Sequence, residues 1–223
     1  MRRESTHRKK KRKRLFFKKM TSRKVNDDLR ARQLLAQEAA RIIVDQGIRD
    51  YRLAKIKAAN RLGLTRRGSL PRNSEIEDAI GERLQLFGRD LHSDFLRTMR
   101  EAAISAMELL VSFTPRLVGP VLSGTADTNS PINLHVFSDS SEMVAMRLAE
   151  LGFSYRAYEQ RLRSRRSSRY DADTFAGFQF HYDDTSIEAT VFPVDGIRQA
   201  PISPIDGKPM RRADAKAVRA LLS

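Results

Sequence analysis

Residues 119–138 read GPVLSGTADTNSPINLHVFS. Gly119 and Gly124 punctuate a turn. After a polar stretch, Ile132, Leu134 and Val136 alternate with Asn133, His135 and Phe137. Strict alternation over six residues predicts a strand buried on one face. Just upstream, Leu117-Val118 predicts a short strand ending at Gly119.

The same periodicities continue on both sides. Asp139 with Glu142 predicts the capped start of a helix through Val144, Leu148 and Leu151, stopped by Gly152. Phe153, Tyr155 and Ala157 alternate again. Residues 175–182 and 186–192 predict two strands of a hairpin joined by Asp183-Asp184-Thr185. Residues 193–212, rich in proline and glycine, predict a loop, and a short helix is expected from about Asp214. Upstream of Pro115 the pattern is helical. One helix is expected from about Asp27 to Gln46, with Leu35, Ala39, Ile42 and Ile43 on its apolar face. A second follows N-cap Asp50 and carries Leu53, Ala54, Ala58 and Leu62. Ser74 and Glu77 then read as a capping box. The long stripe Ile76, Ile80, Leu84, Phe87, Leu91, Phe95, Met99, Ala103, Ala106, Leu110 reads as core packing, with Gly81 and Gly88 as kink points. The expected class is α+β: a basic tail over 1–23, an all-helical domain over 24–113, and a small mixed-sheet α/β domain over 114–223.

Composition sets bounds. The chain has 223 residues, 40% of them hydrophobic, enough for a buried core. There is no cysteine, which excludes a disulfide framework, a thiol nucleophile and Cys-ligated zinc, and fits the reducing cytoplasm. No apolar run approaches the ~20 residues of a membrane span. The net charge is +15, and residues 1–19 hold eleven Lys/Arg against one Glu. The block Arg8-Lys9-Lys10-Lys11-Arg12-Lys13-Arg14 repels itself, is expected to be disordered alone, and suits RNA or another polyanion. Met20 opens MTSRKVNDDL, a second candidate start. There is no P-loop and no nucleophile elbow.

The frame Gly119-Pro120-Val121-Leu122-Ser123-Gly124-Thr125-Ala126, followed by Ser130-Pro131-Ile132-Asn133-Leu134-His135-Val136-Phe137, resembles the signature of the nucleotidyltransferase superfamily, with its polymerase-beta-like fold. In that family a strand leads to Gly-Ser, then to a second Gly, then to a strand bearing Asp-x-Asp, with a third carboxylate on a later strand. The resemblance implies that backbone N–H groups of the turn hold phosphate and that the carboxylates hold two Mg²⁺ ions. It makes Gly119, Ser123, Gly124, Thr125 and Asn133 candidate phosphate or nucleotide contacts. Here Gly-Ser is Gly119-Pro120, the first Asp is Pro131 and the second is Asn133; only Glu188, in the place of the third carboxylate, can carry a charge. One anionic side chain is a poor host for two hard cations.

These departures define the expected function: a catalytically degenerate nucleotidyltransferase-like module that binds nucleotide or RNA. The arginines of RLRSRRSSR, among them Arg161, Arg163, Arg165 and Arg166, are expected over the phosphate cleft, with Arg66, Arg67 and Arg72 adding positive charge. The alternative is an active Mg-dependent transferase using atypical ligands drawn from Asn133, His135, Glu188 and a loop carboxylate (Asp171, Asp173, Asp183 or Asp184), with His181 nearby for a softer metal. A third reading is a structural subunit whose 76–110 stripe binds a partner helix of another protein.

Overall fold

The computed structural model describes residues 26–64, 70–86, 89–164 and 172–222. The basic tail, Arg66, Arg67, Phe87, Gly88, Arg165, Arg166, Arg169 and Asp171 lie outside the described residues. The chain is α+β and divides into two compact units, residues 1–79 and 80–223.

The first unit holds α1 (residues 26–46), α2 (Tyr51–Arg61) and the start of α3 (Asn73–Leu86). Its core is small-residue packing: Ala36, Ala39, Ala40, Ala54, Ala58 and Ala59 are buried beside Leu35, Ile42 and Ile76. Asp50 caps α2 as expected, its carboxylate accepting from the Arg52 and Leu53 amides. Leu53 and Leu62 are exposed, so the face of α2 that turns inward is built from alanines alone. The expected capping box shifts by two residues: α3 starts at Asn73, and Glu75 rather than Glu77 reaches back, accepting from the Arg72 amide and from Arg32 at 2.6 Å. Arg32 thereby ties α1 to α3.

The second unit is built on a five-stranded sheet of order β1-β2-β5-β4-β3. Its strands are β1 (Arg116–Val118), β2 (Ile132–Phe137), β3 (Tyr155–Leu162), β4 (Asp173–Tyr182) and β5 (Thr185–Phe192). β2 runs parallel to β5 and antiparallel to β1, and β3, β4 and β5 form an antiparallel meander. Its helices are α4 (Arg89–Leu109), the single turn α5 (Pro120–Ser123), α6 (Ser141–Glu150) and α7 (Ala215–Arg219). Leu96, Met99, Ala103, Ala106 and Met107 of α4, with Leu110 just after it, form one core with Ile132, Leu134, Val136, Ile187, Ala189, Phe178 and Phe180 of the sheet. The helical stripe expected to belong with the N-terminal helices is therefore, from Leu96 onward, the cover of the sheet; Leu91 is exposed. No helix among the described residues is long and apolar enough to cross a membrane.

Local details refine the sequence expectations. β3 reaches Leu162, two residues into the stretch read as an arginine loop. Ser140 rather than Asp139 is the N-cap of α6, while Asp139 accepts from the Val194 amide at 3.0 Å and holds the start of the long loop. A two-residue turn, with Asp183 at φ 49°, joins β4 to β5. Asp214 caps α7 through the Ala217 amide.

One packing contact ties β3 to β5 across β4. The Tyr158 ring lies over Gly177, and its hydroxyl meets Thr190 Oγ1 at 3.0 Å. A Cβ on Gly177 would sit 2.3 Å from Tyr158 Cζ. Gly177→Ala is therefore expected to cost about 1–3 kcal/mol in urea unfolding, and most of that cost should vanish in a Tyr158→Ala background, where the ring no longer occupies the space.

Candidate functional site

Directly paired residues of neighbouring strands share a sheet face. The register Asn133↔Glu188↔Gln179↔Arg156 therefore lays an amide, a carboxylate, a second amide and a guanidinium in one row across four strands. The row lies on the face opposite the helix-packed core. Asn133, Glu188 and Gln179 are half-buried and Arg156 is exposed. Gln179 Nε2 donates to Ser186 Oγ at 3.1 Å, and Asn133 Nδ2 donates to the Pro131 carbonyl at 3.3 Å.

Gly119 stands against this row. Its φ of 72° and ψ of −154° belong to a region that only glycine enters readily. A Cβ there would lie 3.2 Å from Asn133 Nδ2. The strand-to-helix turn thus brings backbone close to the Asn133 amide and sets Gly119 beside the paired Asn133 and Glu188.

Other candidates lie elsewhere. Ser123, Gly124 and Thr125 are at the far end of α5. Ser123 Oγ is 3.3 Å from the Gly119 carbonyl and 2.9 Å from Thr125 Oγ1. The Gly124 carbonyl accepts from His92 Nε2 at 3.1 Å, and Arg100 Nε donates to the Val121 carbonyl at 3.3 Å. That end of the turn is tied to α4. Arg161 pairs with Thr174, five residues along β3 from Arg156, so it points to the opposite sheet face. It is displaced from Asn133 by three strands, about 14 Å, and by about 17 Å along them. Arg163 shares the parity of Arg161, and its carbonyl accepts from the Ile202 amide at 2.7 Å. Neither arginine joins the row.

The next row along the same face is closed to solvent. His135 and Thr190 are the buried polar side chains among the described residues. His135 stacks on Phe192 at 4.4 Å, and its Nδ1 accepts from Arg212 Nε at 2.9 Å. Burial, and then the Arg212 charge, push the imidazole pKa down to about 3, so the ring is neutral. This corrects the idea of His135 as a metal ligand: one nitrogen is taken by a guanidinium, and a cation beside that guanidinium would be repelled. Among the described residues no group of three His, Cys, Asp or Glu side chains converges on a metal site. The row at Asn133 offers one carboxylate, and Asp183 and Asp184 are exposed in the hairpin turn. This donor set does not fit a pair of Mg²⁺ ions.

Arg212 carries no local signal in the sequence that singles it out. Nη1 donates to the Gly196 carbonyl at 2.8 Å, and Cζ lies 5.0 Å and 4.9 Å from the Phe137 and Phe192 ring centres. Nη2 is buried without a hydrogen-bond partner among the described residues. Burial, with Arg116 nearby, lowers its pKa to about 10, and it stays charged at neutral pH. It fastens the 193–213 segment over one end of the sheet face.

No known family, no curated protein and no solved structure matches this chain.

The neutral His135 makes stability depend on acid. Below its ordinary value of 6.5 the unfolded chain takes up a proton there that the folded chain refuses until pH nears 3. The stabilisation is complete above 6.5 and falls with pH, by about 2 kcal/mol on reaching about pH 5. His135→Gln keeps an acceptor for Arg212, and urea midpoints measured at neutral pH and at about pH 5 should converge in that variant.

Proposed function

We propose that the sheet unit is a nucleotidyltransferase-like module that binds a phosphate-bearing ligand, nucleotide or RNA, in the cytoplasm without carrying out two-metal transfer. The carrying observation is the in-register row Asn133–Glu188–Gln179–Arg156 with Gly119 against its first member. Two amides and an exposed guanidinium supply donors for phosphate oxygens and sugar hydroxyls. A single carboxylate supports recognition and is a poor basis for clamping two cations. In this reading Arg156 takes the phosphate-binding role that the arginines of 161–166 were expected to fill, because it alone of the described arginines on β3 shares the face and the row.

The test is calorimetric titration of the full chain with nucleoside triphosphates and with a short RNA, each with and without Mg²⁺ or Mn²⁺. Binding is expected without added metal. Arg156→Ala should weaken it about tenfold, and Glu188→Gln should leave it unchanged or tighter. Absence of binding to both ligand types sinks the proposal. Binding that requires metal and disappears in Glu188→Gln would instead put the transferase reading first.

A complementary experiment restores the lost charge. Asn133→Asp would set two carboxylates on adjacent strands in register with each other, and the variant should bind Mn²⁺ more tightly than the native chain does, by about tenfold or more, as read by electron paramagnetic resonance of free Mn²⁺.

A further inference from the structure

A cavity of about 320 Å³ opens beside the closed end of the sheet face, away from the Asn133–Glu188 row. Phe175 of β4 and Phe192 of β5 form its sheet side, with ring centres 4.4 Å apart. Pro193, Gly196 and Pro201 of the following loop line it as well. Arg212 holds the Gly196 and Ile197 carbonyls, so the loop wall is fixed over the sheet whether or not a ligand is present. Asp173 and Gln199 stand exposed at the rim, and among the described residues neither side chain has a hydrogen-bond or ion-pair partner.

These features narrow the ligand. The volume is at the low end for small-molecule sites and suits a single ring system. Aromatic and proline surfaces favour a flat ring. The Asp173 carboxylate only accepts hydrogen bonds, and the Gln199 amide both donates and accepts, so the ring needs N–H donors on an edge. The rim charge disfavours phosphate and carboxylate. A full cation is disfavoured too, since Arg212 already occupies a position 4.9 Å from the Phe192 ring centre.

We infer that this cavity is a binding site for a neutral, planar nitrogen heterocycle with an amino edge, the chemical class to which nucleobases belong. Phe175, half-buried and backed by the buried Phe192 ring, stacks the ligand, and Asp173 with Gln199 read its edge. The site does not depend on the phosphate-binding reading of the Asn133 row, which lies four residues back along β5 at Glu188.

The test titrates the full chain with adenosine, cytidine and guanosine, followed by ligand-observed NMR, with AMP alongside. At least one nucleoside should bind saturably, and adenosine should bind more tightly than AMP. Asp173→Asn should weaken the binding about tenfold, and Phe175→Ala should weaken it as well. The inference is overturned if no nucleoside binds saturably, or if binding is the same in Asp173→Asn and Phe175→Ala as in the native chain. Binding lost in Glu188→Gln but retained in Asp173→Asn would also overturn it, and would place the ring on the Asn133 row. Failure of the phosphate-binding proposal is read separately, from Arg156→Ala with triphosphates.

Discussion

A strand with one buried face cannot slip by a single residue, because every side chain would change sides. β2 is held to that rule from two directions, by β1 and by β5. Ile132, Leu134 and Val136 are all fully buried, so a slip would drive them to the polar face and send Asn133 and His135 into the helix-packed core. The same register fixes Asn133 beside Glu188. The candidate site is thus a by-product of core packing, and substitutions in the site can change its chemistry without moving its frame.

The two ends of the polar face have opposite character although they share strands. At the Asn133 row the side chains are half-exposed and water can serve whatever bonds the protein leaves open. Two residues further along, His135 and Thr190 are sealed by the 193–213 segment, and the seal is centred on a guanidinium that has no acid beside it among the described residues. A half-buried cation without a counter-ion is costly. Here the cost is offset by two phenyl faces, a neutral imidazole and two carbonyls. The arrangement works only while His135 is uncharged, which couples the seal to acidity. It also gives the loop wall a rigid anchor on the sheet.

Local rules made much of this legible. The alternation of 132–137, the Asp50 cap and the β4–β5 hairpin depend on neighbours in sequence, and the structure has all three, with Thr185 belonging to β5 rather than to the turn. Arg161 and Arg163 lie off the expected cleft for a reason the sequence did contain. Tyr155 and Ala157 share a face, and continuing their parity puts Arg161 and Arg163 on that face, away from Asn133. Reading 161–169 as a loop discarded the parity. The contact of Tyr158 with Gly177 and Thr190, and that of Arg212 with His135, join residues far apart in the chain. Nothing local marks either one. The helical stripe was recognised as core, but periodicity cannot say whether the facing surface is another helix or a sheet.

The sheet also has a timetable written into its topology. β4 and β5 are joined by a two-residue turn, and β3 pairs antiparallel with β4 across residues 163–172, so the meander closes comparatively short loops. The parallel pairing of β2 with β5 must instead bring together segments separated by on the order of fifty residues, at a far greater entropic cost. The meander should gain order early and the β2–β5 seam late. The row containing Asn133 and Glu188 straddles that seam, so the site comes into being at the last stage of folding and would be the first thing lost if the seam opened.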